Sequence, residues 1–382
     1  MVKKNKNPNV PNLRFSYKGD WSKRKLNEIC QFFKGNGLSK SDLSNEGFPC
    51  ILYGELYTTY KNEVISDIIS KTNTTLANPF LSRNNDLIIP GSGEDPIDIA
   101  VARAIYQNDI ILGGDLNILR PKSNVSAAFL SYQLNGVRRY DIAKKAQGKS
   151  IVHLHNSDLK EVLVSIPTYD EQLHIVELLT KIDEMIDAQI KIIDDYNSLK
   201  IGIYNWMFKE NYADYKLKQL AYIVKGDQIN NDQLLSNGSY YMMNGGTSPS
   251  GYLDSYNVSE NTISISEGGN SCGYVQFNSS PFWSGGHCYT IQNVNSALID
   301  NKYLYHYLKH KEKEIMNLRI GTGLPNIQKR DLENFTILAP NLSIQRKNLA
   351  LFEMLDEKIS VLNEELTILE KQKKYLLCNM FI

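Results

Sequence analysis

Gly148 to Lys209 and Gly321 to Ile382 align at a constant offset of 173 residues without a gap, and 12 of the 62 positions are identical. Among them are Gly148/Gly321, Asp158/Asp331, Leu159/Leu332, Pro167/Pro340, Gln172/Gln345, Asp183/Asp356, Met207/Met380 and Phe208/Phe381. Both copies change character at the same point, from a proline-punctuated, β-rich stretch to a long helical pattern, which strengthens the match beyond identity alone. A chain built as two globular units, each followed by a similar helix, is expected to read a target with two separated parts.

The helical stretches predict a pair. In the second copy Phe352, Leu355, Ile359, Leu362, Leu366, Leu369 and Leu376 follow the a/d spacing of a coiled coil, with Lys373 at the missing step. The first copy runs Leu179, Ile182, Ile186, Gln189, Ile193, Tyr196, Lys200, Ile203 in the same register, with polar breaks at Gln189 and Lys200. Each seam needs a partner, and the nearest is the other. A helix of about 38 residues is about 57 Å long, more than one turn of duplex DNA at about 34 Å. Antiparallel packing would make a pseudo-twofold ruler holding the two units apart. Dimerisation through these helices with another chain is the alternative.

At 382 residues the chain has room for two or three domains, each with its own core. Five scattered cysteines suggest neither a disulfide framework nor a zinc cluster, and fit a reducing compartment. The N-terminus Met1-Val2-Lys3-Lys4 lacks the apolar core of a signal peptide, and no apolar run reaches membrane-spanning length, so a cytoplasmic protein is expected. Net charge is zero but uneven: +6 over residues 1–30, +5 over 302–330 and −5 over 170–210. Basic faces for nucleic acid can therefore sit beside an acidic helix.

The globular units also resemble each other. Trp21 through Ile29 has a counterpart in Tyr215 through Ile223, and Gly113-Gly114 in Gly285-Gly286. Between these anchors the first unit is longer, with 127 residues from Trp21 to Gly148 against 106 from Tyr215 to Gly321. Runs such as Asp86–Ile89, Asn108–Leu112, Thr262–Ser266 and Cys288–Ile291 predict strands between Gly/Asn/Ser turns. The expected fold class is mixed α/β (α+β).

Val10-Pro-Asn-Leu-Arg-Phe15, followed by Gly19-Asp-Trp21 and Lys25-Leu-Asn-Glu-Ile29, resembles the opening of the specificity (S) subunits of type I restriction-modification systems. So do Ile166-Pro167 with Glu171-Gln172 leading into the long helix, and the closing Trp206-Met207-Phe208 and Asn379-Met380-Phe381. In the second unit Gly246 to Tyr252, Glu267-Gly-Gly269 to Tyr274 and Pro281-Phe-Trp283 are similar to target-recognition segments of that family. The resemblance covers essentially the whole chain. It departs at Ser343-Ile344-Gln345, where Glu-Gln is usual, and in the first unit, which lacks the Gly-Gly-Asn segment.

The resemblance implies a non-catalytic subunit that positions two methyltransferase (M) subunits on a bipartite double-stranded DNA target, with restriction (R) subunits joining the assembly. It implies two target-recognition domains separated by two long antiparallel coiled-coil helices, with an internal pseudo-twofold repeat. The boundaries expected are 1–20 for an N-terminal arm, 21–169 and 212–342 for the recognition domains, 170–211 for a central helix and 343–382 for a C-terminal helix. S-adenosylmethionine, Mg and ATP would belong to the partners, this chain binding none of them.

The residues agree with a missing active site. Asn78-Pro79-Phe80 is one proline short of an adenine-methyltransferase motif, and Pro90-Gly-Ser-Gly-Glu-Asp95 lacks phosphate-loop spacing and reads as a turn or DNA-facing loop. His153-x-His155 stands without cysteine or acidic neighbours, so metal is not expected, and His306 and His310 read as lining a basic helix.

Base edges are read by paired donors and acceptors, while Lys and Arg on phosphates fix register. Polar loop residues beside glycines suit this. The candidates are Tyr57, Thr58, Thr59, Lys61, Arg83, Asn84, Asn85, Lys144, Lys145 and Lys149 in the first unit. In the second they are Asn244, Thr247, Ser248, Tyr252, Asn270, Ser271, His287, Arg319, Thr322, Asn326 and Lys329. Two other classes compete: a recognition part fused to a restriction or methylation enzyme, and a stand-alone tandem binder such as a DNA-binding regulator.

Overall fold

The computed structural model of the chain describes residues 7–208 and 212–382 apart from Thr322. The chain divides into two compact units, Met1–Ile190 with Glu364–Ile382, and Lys191–Asn363. Each unit holds one globular domain and part of both long helices.

In the first unit Cys30–Lys34 (β1), Val64–Ile65 (β2), Asp86–Pro90 (β3), Arg103–Ile105 (β4) and Leu116–Pro121 (β5) form a sheet in the order β1-β5-β3-β4-β2. All pairs are antiparallel except β2 with β4. Strand β3 is covered on both faces. Leu87 and Ile89 join a core shared with the helix Ala127–Asn135 (α1), while Ile88 joins a second core with Ile51, Leu56 and Ile118. The unbroken run Leu87-Ile88-Ile89 follows from that double burial. The second cover comes from the longer insert, where Leu43–Ser44, Phe48–Ile51, Lys71–Thr72 and Ile111–Leu112 form a small sheet of their own. A tight hairpin, Gln147–Gly148 (β6) and Val152–His153 (β7), lies against Ser92–Gly93. The first long helix, α2, runs Tyr169–Met207.

The second unit is thinner. Tyr222–Lys225 (β8), Thr262–Ser266 (β9), Val275–Asn278 (β10) and Cys288–Gln292 (β11) pair antiparallel in the order β8-β11-β9-β10. Ile263 and Ile265 face a core with the helix Asn301–His310 (α3), and the alternate residues Thr262, Ser264 and Ser266 are buried on the other face. There the Asn278 amide donates to Thr262 O (2.9 Å) and Ser264 Oγ (3.0 Å), and Tyr241 donates to Asn278 Oδ1 (3.0 Å). These hydrogen bonds stand beside a small apolar cluster of Met243, Val258, Phe282 and Cys288, where the first unit has the larger second core. The last helix, α4, runs Leu342–Asn379.

A glutamine ties each long helix to its domain. Gln172 Oε1 accepts from Ser126 N (2.9 Å), and its amide donates to Asn124 O (3.2 Å) and Pro167 O (3.1 Å). Gln345 Oε1 accepts from Asp300 N (2.8 Å), and its amide donates to Leu298 O (2.9 Å) and Pro340 O (2.7 Å). Ser126 and Asp300 are themselves the N-caps of α1 and α3. Both glutamines are fully buried, so the repeat extends to single hydrogen bonds.

Within each unit the two long helices run antiparallel. In the first, Gln189 donates to Glu365 (3.1 Å), and Lys373 reaches Asp183 (2.6 Å) and Glu63 (2.7 Å). In the second, Tyr204 meets Phe352 edge-on at 4.3 Å and Lys200 pairs with Asp356. Lys200 and Lys373 are repeat equivalents, as are Asp183 and Asp356. The two lysines that interrupt the apolar pattern thus make one cross-helix ion pair twice. Leu179, Ile182, Ile193, Phe352, Leu355 and Leu362 are buried, and Ile186, Ile359, Leu366 and Leu369 are partly buried.

Glu171, absent from the second copy, is fully buried and held from the N-terminal side: Arg14 donates to it twice at 2.7 Å and the Trp21 indole once at 3.2 Å. Leu13 N also donates to Asn379 O (2.9 Å). Among the described residues no helix is long and apolar enough to cross a membrane.

Candidate nucleic-acid interface

The two domains place corresponding loops at one end of their main sheets, and in the second unit these loops enclose a cavity. In the second unit β9 runs on into Glu267-Gly268-Gly269, β8 ends in Lys225, and β11 is entered through Gly285-Gly286-His287. The hairpin Ile320/Asn326 closes the side, Asn326 bridging to Gly268. These segments surround a cavity of about 630 Å³, also lined by Asn244, Gly245, Gly246, Ser250, Leu324 and Pro325. Glycines bring the backbone to its wall, and the polar atoms converge on Glu267. Lys225 Nζ lies 2.6 Å from its carboxylate, Tyr289 donates to Oε1 (3.0 Å), and His287 Nδ1 is 3.6 Å from Oε2. Oε2 is buried without a hydrogen-bond partner, a group for which a donor would compensate the desolvation cost.

The first unit has the same parts with the charges moved. Lys34 ends β1, Gly91-Ser92-Gly93 follows β3, and Gly113-Gly114-Asp115 leads into β5. Gly91 stands where the second unit has Glu267. A Cβ there would meet Asp115 O at 2.7 Å, so no side chain fits. The acid sits instead on the Gly-Gly loop, where Ser92 Oγ donates to Asp115 (3.2 Å). Burial pulls the Lys34 pKa down, opposed by Asp115.

The structure sorts the sequence candidates. Asn244, His287 and Asn326 line the second cleft, with Asn244 Oδ1 accepting from His287 N at 3.0 Å. Thr247 and Ser248 are exposed on the loop that carries Asn244, Asn270 is exposed and Ser271 partly buried beside Gly269, and Tyr252 pairs with Tyr241 in an adjoining strand. Arg319 and Lys329 are exposed at the two ends of the hairpin segment, and Thr322 lies outside the described residues. In the first unit Lys144, Lys145 and Lys149 precede or occupy the β6–β7 hairpin, and a Cβ on Gly93 would meet Ile99 at 2.4 Å and the Tyr57 hydroxyl at 3.5 Å. Thr58 and Thr59 are exposed, with Thr58 Oγ1 donating to Gly54 O.

Other candidates fall away from the cleft. Arg83 and Asn84 lie at the opposite end of β3, a strand about 16 Å long. Asn85 there, at φ 69°, bonds Val125 O and Ala127 N at the start of α1, which is a structural task. Lys61 lines a different cavity, with Arg103, Asp183 and Lys373. His306 is corrected: it does not line a basic face but is buried against Tyr204 (3.0 Å), Phe352 and Asp356. The apolar face of α3, with Tyr303, Tyr307 and Leu308, turns it inward. Its pKa falls to about 4, mainly through burial and against the pull of Asp356. The corresponding ion pair in the first unit is more deeply buried. Burial raises the Asp183 pKa against the pull of Lys373, whereas Lys373 stays above its usual value because Glu63 and Asp183 outweigh its own burial.

Glu267, Lys225, Lys34 and Asp115 were not singled out individually. Glu267 stood in a quoted segment, but a lone acid in a glycine loop carries no signal until a lysine from another strand reaches it. Among the described residues no group of three or more His, Cys, Asp or Glu could hold a metal ion.

The family model of the type I restriction modification DNA specificity domain matches residues 18–194 and again 209–371. A putative type I specificity subunit of Mycoplasma pneumoniae is 35% identical over 127 residues, 33% of this chain and 34% of that protein. A related Mycoplasma genitalium protein is 32% identical over a similar stretch. The chain thus matches about a third of the length of these relatives. A putative type I restriction enzyme specificity subunit of Methanocaldococcus jannaschii is 22% identical across 85% of this chain and 84% of that one. The crystal structure of a type I S subunit from M. genitalium superposes with a TM-score of 0.69 at 19% identity, covering 98% of this chain and 99% of that one, a likeness of fold. The two matched segments take in both globular domains and most of both long helices, and the chain belongs to the type I restriction-modification DNA specificity family.

Proposed function

We infer that this chain is the DNA-recognition subunit of a type I restriction-modification complex, acting in the cytoplasm without catalysis of its own. Each domain reads one half of a bipartite duplex target. The observation that carries this reading is the pair of corresponding sheet-end loop clusters on one frame, with their charged groups rearranged. A common frame presents each domain to DNA in the same way, and different cleft chemistry recognises different bases.

A carboxylate such as Glu267 accepts from an exocyclic amine, and Lys225 or His287 can donate to purine acceptors. The exposed lysines and arginines near the hairpins suit phosphates, which set register. A good bidentate base contact discriminates by about 1–3 kcal/mol, too little for one short half-site among genomic competitors. Linking two readers makes the second encounter intramolecular and adds the gap as information. The helices, continuous through both units, set that gap. They also expose apolar side chains, Met185, Leu199, Trp206, Met354 and Ile368 among them, which support docking of two methyltransferase subunits. S-adenosylmethionine, Mg, ATP and the restriction subunits belong to that assembly. A stand-alone regulator would have less use for such surface.

Mapping methylated bases in DNA from cells expressing the chain beside its companion methyltransferase tests this. Adenine methylation at one split motif with a constant gap, lost when the chain is omitted, is expected. An active methyltransferase whose pattern does not change with the chain would return it to the stand-alone class.

A further inference from the structure

The hairpin beside each sheet-end loop cluster repeats a detail that the chemistry of those loops does not use. In the first unit Gln147 pairs with His153 and Gly148 with Val152, leaving Lys149-Ser150-Ile151 as the tip. In the second Ile320 pairs with Asn326 through N–H···O bonds of 2.8 and 3.0 Å, and Leu324 stands at the position equivalent to Ile151. Each tip opens with a glycine at positive φ, +136° at Gly148 and +93° at Gly321. A Cβ on Gly148 would fall 2.0 Å from Ile151 O, so the turn that lifts Ile151 requires glycine.

Both tips put their aliphatic residue into solvent, Ile151 at 57% and Leu324 at 85% exposure. One exposed leucine means little. Two at equivalent positions, in domains whose neighbouring loops have diverged, are a shared feature. Both tips lie in basic stretches of the sequence. Lys144, Lys145 and Lys149 stand close in sequence to Ile151, and Arg319, Lys329 and Arg330 flank Leu324, which also forms part of the cleft rim. An apolar tip amid cations matches a base step between phosphates better than an apolar protein groove, which has no use for that charge.

We propose that Ile151 and Leu324 are wedges, each entering the base stack at one step of its half-site and partly unstacking it as the cleft engages the neighbouring bases. The proposal rests on the DNA-recognition reading above. The wedge is a positioning element: it bends or opens the duplex locally so that base edges reach the cleft wall.

The test uses the full chain with its companion methyltransferase, and duplexes carrying the mapped motif with 2-aminopurine placed in turn at each position. Binding is expected to raise fluorescence several-fold at one step in each half-site, apart from the methylatable adenine. Leu324→Ala should abolish the rise in one half-site only and Ile151→Ala in the other, each weakening binding about tenfold. Leu324→Met, which keeps an apolar tip, should retain the signal. Thermal unfolding should not move, because both side chains are exposed. Fluorescence changes confined to the methylatable adenine, or surviving both alanine substitutions, would overturn the wedge while leaving the recognition reading intact. Loss of methyltransferase from the DNA-free complex on Leu324→Ala would overturn it in favour of a protein contact. If no split motif is methylated, both readings fall together.

Discussion

At the sheet end the first unit sets Lys34 near Asp115 and leaves Gly91 bare, whereas the second pairs Lys225 with Glu267, which His287 also approaches. Where each domain meets its helix the units share the three hydrogen bonds of a buried glutamine, and across the helices they share a Lys–Asp pair. Divergence is therefore concentrated where a ligand would be read, and identity where the domain is held to the helix. The supporting layers differ too. The first domain backs its sheet with a larger second apolar core, the second with a small one and a network of hydroxyls and Asn278.

The two copies of the ion pair should break unequally. Lys373 is mostly buried between Asp183 and Glu63, both nearly inaccessible. Lys373→Met strands two carboxylates and should cost about 3–5 kcal/mol in urea unfolding. Lys200→Met faces Asp356, whose side chain is 38% exposed, and should cost about 1 kcal/mol. Equal losses would mean that the environments differ less than their burial indicates.

The glutamines should break equally. Gln172→Leu and Gln345→Leu each orphan one N–H and two carbonyls at a buried helix start, and each should cost about 2–3 kcal/mol. A large difference would show that one domain does not depend on this tie.

Acid should separate the units. His306 packs against Asp356 in the second unit, where the first has Tyr132 donating to Asp183 (2.7 Å). The folded pKa of about 4 lies below the ordinary 6.5, so the unfolded chain binds the proton more readily. Stability is then full above about pH 6.5 and is lost as pH falls towards 4, by about 2 kcal/mol between pH 7 and pH 5. His306→Gln should flatten that slope in unfolding measured against pH. An unchanged slope would assign the acid sensitivity to Asp356 or another carboxylate.

The repeat, the long helices and most of their buried seam were legible because they depend on periodicity and on identities at a fixed offset. Gln172 and Gln345 stood out for the same reason. Lys200 and Lys373 were visible only as interruptions, since their partners lie on the other helix at positions that no local pattern marks. The site was less legible still. Asn244, His287 and Asn326 gather at the cleft, but Arg83 and Asn84 fall at the far end of β3 and Lys61 in another cavity, because polarity beside glycine says nothing about which end of a strand a loop occupies. Glu267 and Lys225 meet only through strand order.

The central claim, that each domain's sheet-end loops read its own half of one split target, is tested most directly by methylated-base mapping with Glu267→Gln. The substitution keeps the size and an acceptor for Lys225 and Tyr289 but removes the charge in one domain. The account predicts a motif that degenerates in one half, with the other half and the gap unchanged, corresponding to about 1–3 kcal/mol of lost discrimination. A motif unaltered in both halves, or relaxed in both, would contradict it.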